Sequence, residues 1–186
     1  MADNRRHILG TRQIADILDC CGPGDTGVRN RAMVQMMYRC CLRCVEILGL
    51  KMTDIDLGKR PRISVRNTRS AGARVIEIDK TTARELRAWL DIRKEICGIT
   101  QRTPVFCTIR IPGGRRILSQ YIRKMMARIS AKSKLKGKPL GARKIRDSGA
   151  AGLKRRGYSV KKMQVMFGHA QRKTTDRYLD TIPGTR

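Results

Sequence analysis

Acidic side chains are scarce in this chain: 15 aspartates and glutamates stand against 42 lysines and arginines in 186 residues, a formal charge of +27. So one-sided a balance implies a polyanionic partner, with a membrane surface as the weaker candidate beside nucleic acid. Long apolar runs are missing as well. None approaches the ~20 residues of a membrane span, and MADNRRHILG lacks the apolar stretch of a signal peptide. The expected location is therefore a cytosol, in association with the nucleoid, with no membrane partner. Aromatics make up only 4% of residues, and no strand is rich in them, which argues against a stacking RNA-recognition module. Histidine occurs twice, and no carboxylate and histidine cluster has metal-ligand spacing, so neither metal nor other cofactor is expected. Seven cysteines form an odd set without a secretion signal, which reads as reduced thiols packed as small hydrophobes. Cys41 and Cys44 offer the spacing of half a zinc site, but no second pair completes it.

The composition is nevertheless that of a folded domain, because 40% of the residues are apolar. A chain of this length buries roughly 70% of its unfolded surface on folding. Basic residues run along the whole chain, densest in AKSKLKGKPLGARKIR (131–146), as expected if one face follows a nucleic-acid backbone. No repeat and no linker rich in Pro, Gly or Ser divides the sequence, so residues 1–186 read as a single domain.

Periodicity and punctuation predict the elements. Thr11 caps a short helix through IADILDCC, which CGPGDTG ends. A helix from Val28 continues through AMVQMMYRCCL and VEILGL to a break at Lys51, and its apolar density marks it as the core helix. PRISV and ARVIEI, joined by RNTRSAG, form a hairpin. Thr81 or Thr82 caps a helix carrying Leu86, Trp89, Leu90 and Ile96, with Trp89 in the core, and TPVFCTI adds a strand. Ser119 starts a Met-rich basic helix, and SKLKGKP is a loop. Three further helices span 142–156, 159–167 and 174–180, the first closed by Gly157. The fold class is mainly α with a small antiparallel β-sheet (α+β).

The segment FGHAQRKTTDRYLD sets His169 and Tyr178 nine residues apart among basic and hydroxyl side chains. A tyrosine that attacks a phosphodiester has specific needs. Its pKa of about 10 leaves about one part in a thousand ionised at neutral pH, so a proton acceptor or a strong positive field is required. The phosphate oxygens gain charge in the transition state, which the planar arginine fork suits better than lysine. The departing sugar oxygen needs a proton.

Two stretches supply candidates. Cys41-Leu42-Arg43-Cys44-Val45-Glu46 is followed by Asp54-Ile55-Asp56, and Arg143-Lys144-Ile145-Arg146 by DSGAAGLKRR, Gly157, SVKKMQVM, Phe167-Gly168-His169 and Tyr178. This ordered set resembles the tyrosine recombinase, or phage integrase, family in both its arginine boxes. Eleven residues separate Arg146 from Gly157, eleven more reach Gly168, and the match covers roughly residues 11 to 180. The resemblance implies that Arg43 and Arg146 clamp the scissile phosphate and that Glu46 is a buried carboxylate orienting the site. His169 then hydrogen-bonds the phosphate or assists proton transfer, and Tyr178 forms a 3′-phosphotyrosyl link, with rejoining that needs neither metal nor ATP. The implied partner is double-stranded DNA, with a DNA-dependent homo-oligomer, a tetramer on paired sites, because little chain follows Tyr178 for exchange between protomers.

Departures from the pattern are as informative. Cysteine stands at 41 where the family has glycine. Arg143 replaces a histidine, which adds a phosphate cation and removes a titratable group. The family's hairpin-turn lysine, its general acid, aligns with Arg69, and no lysine lies between Lys59 and Lys80. Arginine is a poor proton donor. Either Arg69 stabilises the leaving oxygen without donating, or Lys59 or another lysine reaches in, or cleavage is slow or lost. The first box also begins too early for the family's N-terminal DNA-clamping domain, so a catalytic domain alone is expected. Two alternatives accompany the recombinase: a catalytically silent DNA-binding protein on the same fold, and a relaxing enzyme like a type IB topoisomerase.

Overall fold

The structure is a computed structural model that describes residues 8–66, 72–98, 103–135 and 140–183. Within them, eight α-helices and three strands follow in the order α1 Thr11–Asp19, α2 Gly24–Arg39, α3 Cys44–Gly49, β1 Ile55–Asp56, β2 Arg62–Val65, β3 Arg74–Glu77, α4 Lys80–Cys97, α5 Ser119–Lys132, α6 Ala142–Arg155, α7 Val160–Phe167 and α8 Arg172–Asp180. No helix among the described residues is long and apolar enough to cross a membrane.

The centre is α2, whose Met33, Val34, Met36 and Met37 are fully buried. It packs chiefly against α4 and α6. The α4 contact carries Trp89, which is buried, stacks on Phe106 and donates from Nε1 to the Val105 carbonyl at 2.8 Å. The α6 contact depends on Gly149. A Cβ there would stand 1.9 Å from the carbonyl oxygen of Tyr38, so only glycine lets the two backbones approach this closely.

The mainly helical fold with a small antiparallel sheet is as the sequence suggested, but several boundaries differ. The expected helix from Val28 to Leu50 is two helices. The chain leaves α2 after Arg39, turns through Cys41 at a φ of 52°, and re-enters a helix at Cys44. Both sides of the turn are buried, so the apolar pattern runs through it without a mark. What stabilises the break is Glu46, whose carboxylate turns back to accept the Arg43 backbone N–H at 2.7 Å, closing one side of a capping box.

The sheet has three strands rather than two, because Ile55–Asp56 pairs with Arg62 and Ile63 beyond the expected hairpin. In the hairpin itself Ile63 faces Ile76 and Val65 faces Arg74. Alternation buries Ile63, Val65 and Ile76. The stretch around TPVFCTI is no full strand: it makes isolated bridges, Lys51 to Pro104 and Cys107 to Arg116, while Val105 to Cys107 bury themselves in the core. Asp79, not a threonine, caps α4, accepting from the Thr82 N–H at 2.8 Å. Residues 67–71, which include Arg69, and residues 136–139 of the SKLKGKP loop lie outside the described residues.

All seven cysteines are free. Burial pushes the thiols of Cys21 and Cys41 up to about 12, which keeps them protonated and inert.

Candidate active site

Two turns of backbone and one buried side chain converge beside the crossing of α2 and α6. The first is the Cys41 turn. A residue other than glycine at positive φ carries a cost of order 1–3 kcal/mol, and here the conformation aims the Cys41 carbonyl at α6, where it accepts from Arg146 Nε at 2.7 Å. The Arg146 Nη2 is buried with no hydrogen-bond partner among the described residues. Two residues after the turn, Arg43 caps α3 rather than sitting within a helix.

The second anchor is Glu46, fully buried on α3. Besides the Arg43 backbone, its carboxylate accepts from Arg43 Nη1 at 3.2 Å and from Arg74 Nη2 at 3.0 Å. A buried carboxylate held by two guanidinium groups and an N–H is compensated, whereas alone it would be costly. Arg74 opens β3 and also donates to the Met166 carbonyl, from Nε at 3.3 Å and Nη2 at 3.2 Å. Arg74 thereby ties the sheet, α3 and the end of α7 together, and its Nη1 is likewise buried and unpartnered among the described residues.

The remaining turn closes α7. Gly168, in the left-handed region at a φ of 65°, reverses the chain, and the His169 N–H donates to the Gln164 carbonyl at 3.1 Å. This turns the imidazole inward, with Nδ1 3.0 Å from the buried Thr175 hydroxyl. Burial first, then the charges of Arg146, Arg43 and Arg74, bring the His169 pKa down to about 4. At neutral pH the ring is uncharged and serves as a hydrogen-bond partner rather than a cation.

Tyr178 on α8 faces Arg146 and the turn that carries His169. Its ring meets Phe167 edge-on at 5.2 Å and His169 at 5.7 Å between centroids, and the Arg146 guanidinium carbon lies 5.3 Å from its centre. The phenolic oxygen donates to Asp147 Oδ1 at 2.5 Å. Burial, reinforced by the Asp147 charge and hydrogen bond and opposed by Arg146, raises the phenol above its usual value.

Of the residues singled out in the sequence, Arg43, Glu46, Arg146, His169 and Tyr178 come together in one cluster. Arg143 stays at its rim: the side chain is 73% exposed, and its closest ionic approach is 3.9 Å from Nε to Asp147 Oδ2. Arg69 lies outside the described residues. Sequence reasoning missed Arg74 and Asp147. Asp147 carried a signal, being a rare carboxylate next to a candidate arginine. Arg74 carried little, since a basic residue opening a strand is ordinary in so basic a chain. No group of three or more His, Cys, Asp or Glu among the described residues could hold a metal.

Comparison with known proteins matches residues 7–183 to the phage integrase family. A protein named tyrosine recombinase XerC 2, from Ralstonia nicotianae, is 28% identical over 179 residues, 93% of this chain and 49% of its own. The crystal structure of XerA recombinase superposes with a TM-score of 0.78 at 22% identity, covering 94% of this chain and 58% of that one. XerH site-specific recombinase, bound to its difH substrate in a pre-cleavage complex, superposes at 0.75 and 22% identity, covering 94% and 50%. These likenesses establish the fold. The chain spans about half the length of the curated relatives it matches.

Proposed function

Because the chain belongs to the phage integrase family, we propose that it is a site-specific recombinase that cleaves and rejoins double-stranded DNA through a 3′-phosphotyrosyl link to Tyr178. The observation that carries this reading is the gathering of the Arg43, Arg74 and Arg146 guanidinium groups near His169, with that of Arg146 also against the Tyr178 ring. A phosphodiester entering this cluster meets guanidinium N–H groups of Arg43 and Arg146, and Arg146 Nη2 has no hydrogen-bond partner among the described residues. Such donors are worth most in a site that excludes water, where they need no reorganisation as charge develops on the phosphate oxygens. With that charge met by arginine, the scheme needs no metal, and the covalent link conserves the phosphodiester energy so that rejoining needs no ATP. Arg43 and Arg146 are assigned to the phosphate, Glu46 and Arg74 to positioning Arg43, and neutral His169 to a hydrogen bond with a phosphate oxygen. Arg143, at the rim, is assigned to the DNA backbone.

The named character of the relatives, and the XerH complex with its DNA substrate, support a DNA partner and nucleoid association for this chain. Residues 1–186 are read as a single catalytic domain that assembles with further copies on paired DNA sites. A silent DNA-binding role is favoured by one feature, the lack of lysine between Lys59 and Lys80.

The test uses a pool of nicked duplexes of randomised sequence, from which the released strand diffuses away after cleavage. The wild-type chain is expected to give an adduct that survives denaturant, and Tyr178→Phe to give none. Tight DNA binding without any adduct would leave the silent role. Relaxation of supercoiled plasmid by monomer, without a preferred site, would indicate the topoisomerase-like activity instead.

A further inference from the structure

A tyrosine that attacks phosphorus must lose its proton, and the arginines around Tyr178 cannot accept one. Asp147 can. It is 2% exposed, sits on α6 directly after Arg146, and accepts the Tyr178 phenolic hydrogen at Oδ1. His169 presents its ring edge-to-face to the Tyr178 ring, with its Nδ1 engaged with Thr175, and the Glu46 carboxylate is taken up by Arg43 and Arg74. One turn before Asp147, Arg143 reaches toward the other carboxylate oxygen. The geometry thus gives the nucleophile a carboxylate within direct hydrogen-bond reach, the distance at which proton transfer to a general base takes place.

We propose that Asp147 is the general base of strand cleavage in this chain. The inference rests on the recombinase reading above. As the Tyr178 oxygen forms its bond to phosphorus, the phenolic proton passes to Asp147 Oδ1. The bond from phosphorus to the 5′-oxygen breaks, its electron pair stays on that oxygen, and solvent water supplies the proton that completes the 5′-hydroxyl. In rejoining the 5′-hydroxyl attacks and gives up its proton to solvent water, the bond from phosphorus to the Tyr178 oxygen breaks, and protonated Asp147 returns its proton to the departing phenolate. The raised phenol fits this role, since a tyrosine that ionises unwillingly depends on a base beside it.

Single-turnover adduct formation on the randomised nicked pool, with DNA affinity and a melting curve for every protein, tests the assignment. Asp147→Asn keeps an oxygen at the same reach that can accept the hydrogen bond but cannot take a proton, so a purely positional role would survive it, and Asp147→Ser removes the base with a smaller side chain. Each is expected to bind DNA as the wild type does and to form adduct about 10²–10⁴-fold more slowly. Either variant suffices if the other fails to fold. A wild-type rate would overturn the assignment, and a faster rate would show that Asp147 restrains the tyrosine instead. With sulfur replacing the bridging 5′-oxygen the leaving group needs no proton, and the deficit should persist. Its disappearance would put Asp147 on the leaving-group side and overturn the proposal. A wild-type chain that binds DNA without forming adduct contradicts the recombinase reading itself, and the role of Asp147 falls with it.

Discussion

At the scale of single residues, what decides the chemistry is which charges are solvated and which are not. His169 illustrates the sign of the effect. Its pKa of about 4 lies below the ~6.5 of an unfolded histidine, so between these values the unfolded chain binds more protons and acid favours unfolding. The contribution is present above about pH 6.5 and is lost as pH falls toward 4. Melting temperatures of wild type and His169→Gln should therefore converge as pH falls through that window, with the wild type losing more. Parallel curves would mean that the ring is not buried against those arginines. Cys41 illustrates strain in service of position. The sequence resemblance marked cysteine there as a departure, and the positive φ gives the reason a glycine would sit easily. Cys41→Val, β-branched in a conformation that excludes it, should lose about 1–3 kcal/mol in denaturant melts and slow adduct formation, because the Cys41 carbonyl orients Arg146. A variant with unchanged stability would show that the turn tolerates other conformations. Arg43, Arg146, Glu46, His169 and Tyr178 were legible in the sequence because their order and spacing are regular. Arg74 was not, and Asp147 offered only its place beside Arg146, since their significance lies in partners 28 and 31 residues away.

At the scale of elements, periodicity identified the helices and failed where two of them meet. The break at Cys41 is invisible to an apolar pattern, because the turn itself is buried and the cap that starts α3 comes from a side chain three residues beyond Arg43. The strand added to the expected hairpin, β1, is two residues long, too short to alternate. The α2 and α6 crossing likewise gave no sequence sign beyond a small-residue run, yet it carries Arg146 and Asp147 into place. Gly149→Ala should separate these helices, lowering stability by about 1–3 kcal/mol and reducing adduct formation through displacement of both side chains. Wild-type stability would mean that the backbones can yield without cost.

At the scale of the whole molecule, the charge of +27 was the plainest statement in the sequence, and it speaks of the partner rather than the reaction. Contact with six to ten phosphates implies an affinity loss of about 10³–10⁵ between about 50 and 200 mM salt. A shallow salt dependence would separate the charge from DNA binding. Such binding would be shared by an enzyme and a silent relative, so the covalent step alone distinguishes them. The most direct measurement is to digest the denaturant-resistant adduct and locate the DNA-bearing peptide and the polarity of the link by mass spectrometry. The account predicts a phosphotyrosyl bond between Tyr178 and a 3′-phosphate, with a free 5′-hydroxyl on the other strand end. A link to any other residue, or to a 5′-phosphate, would contradict it.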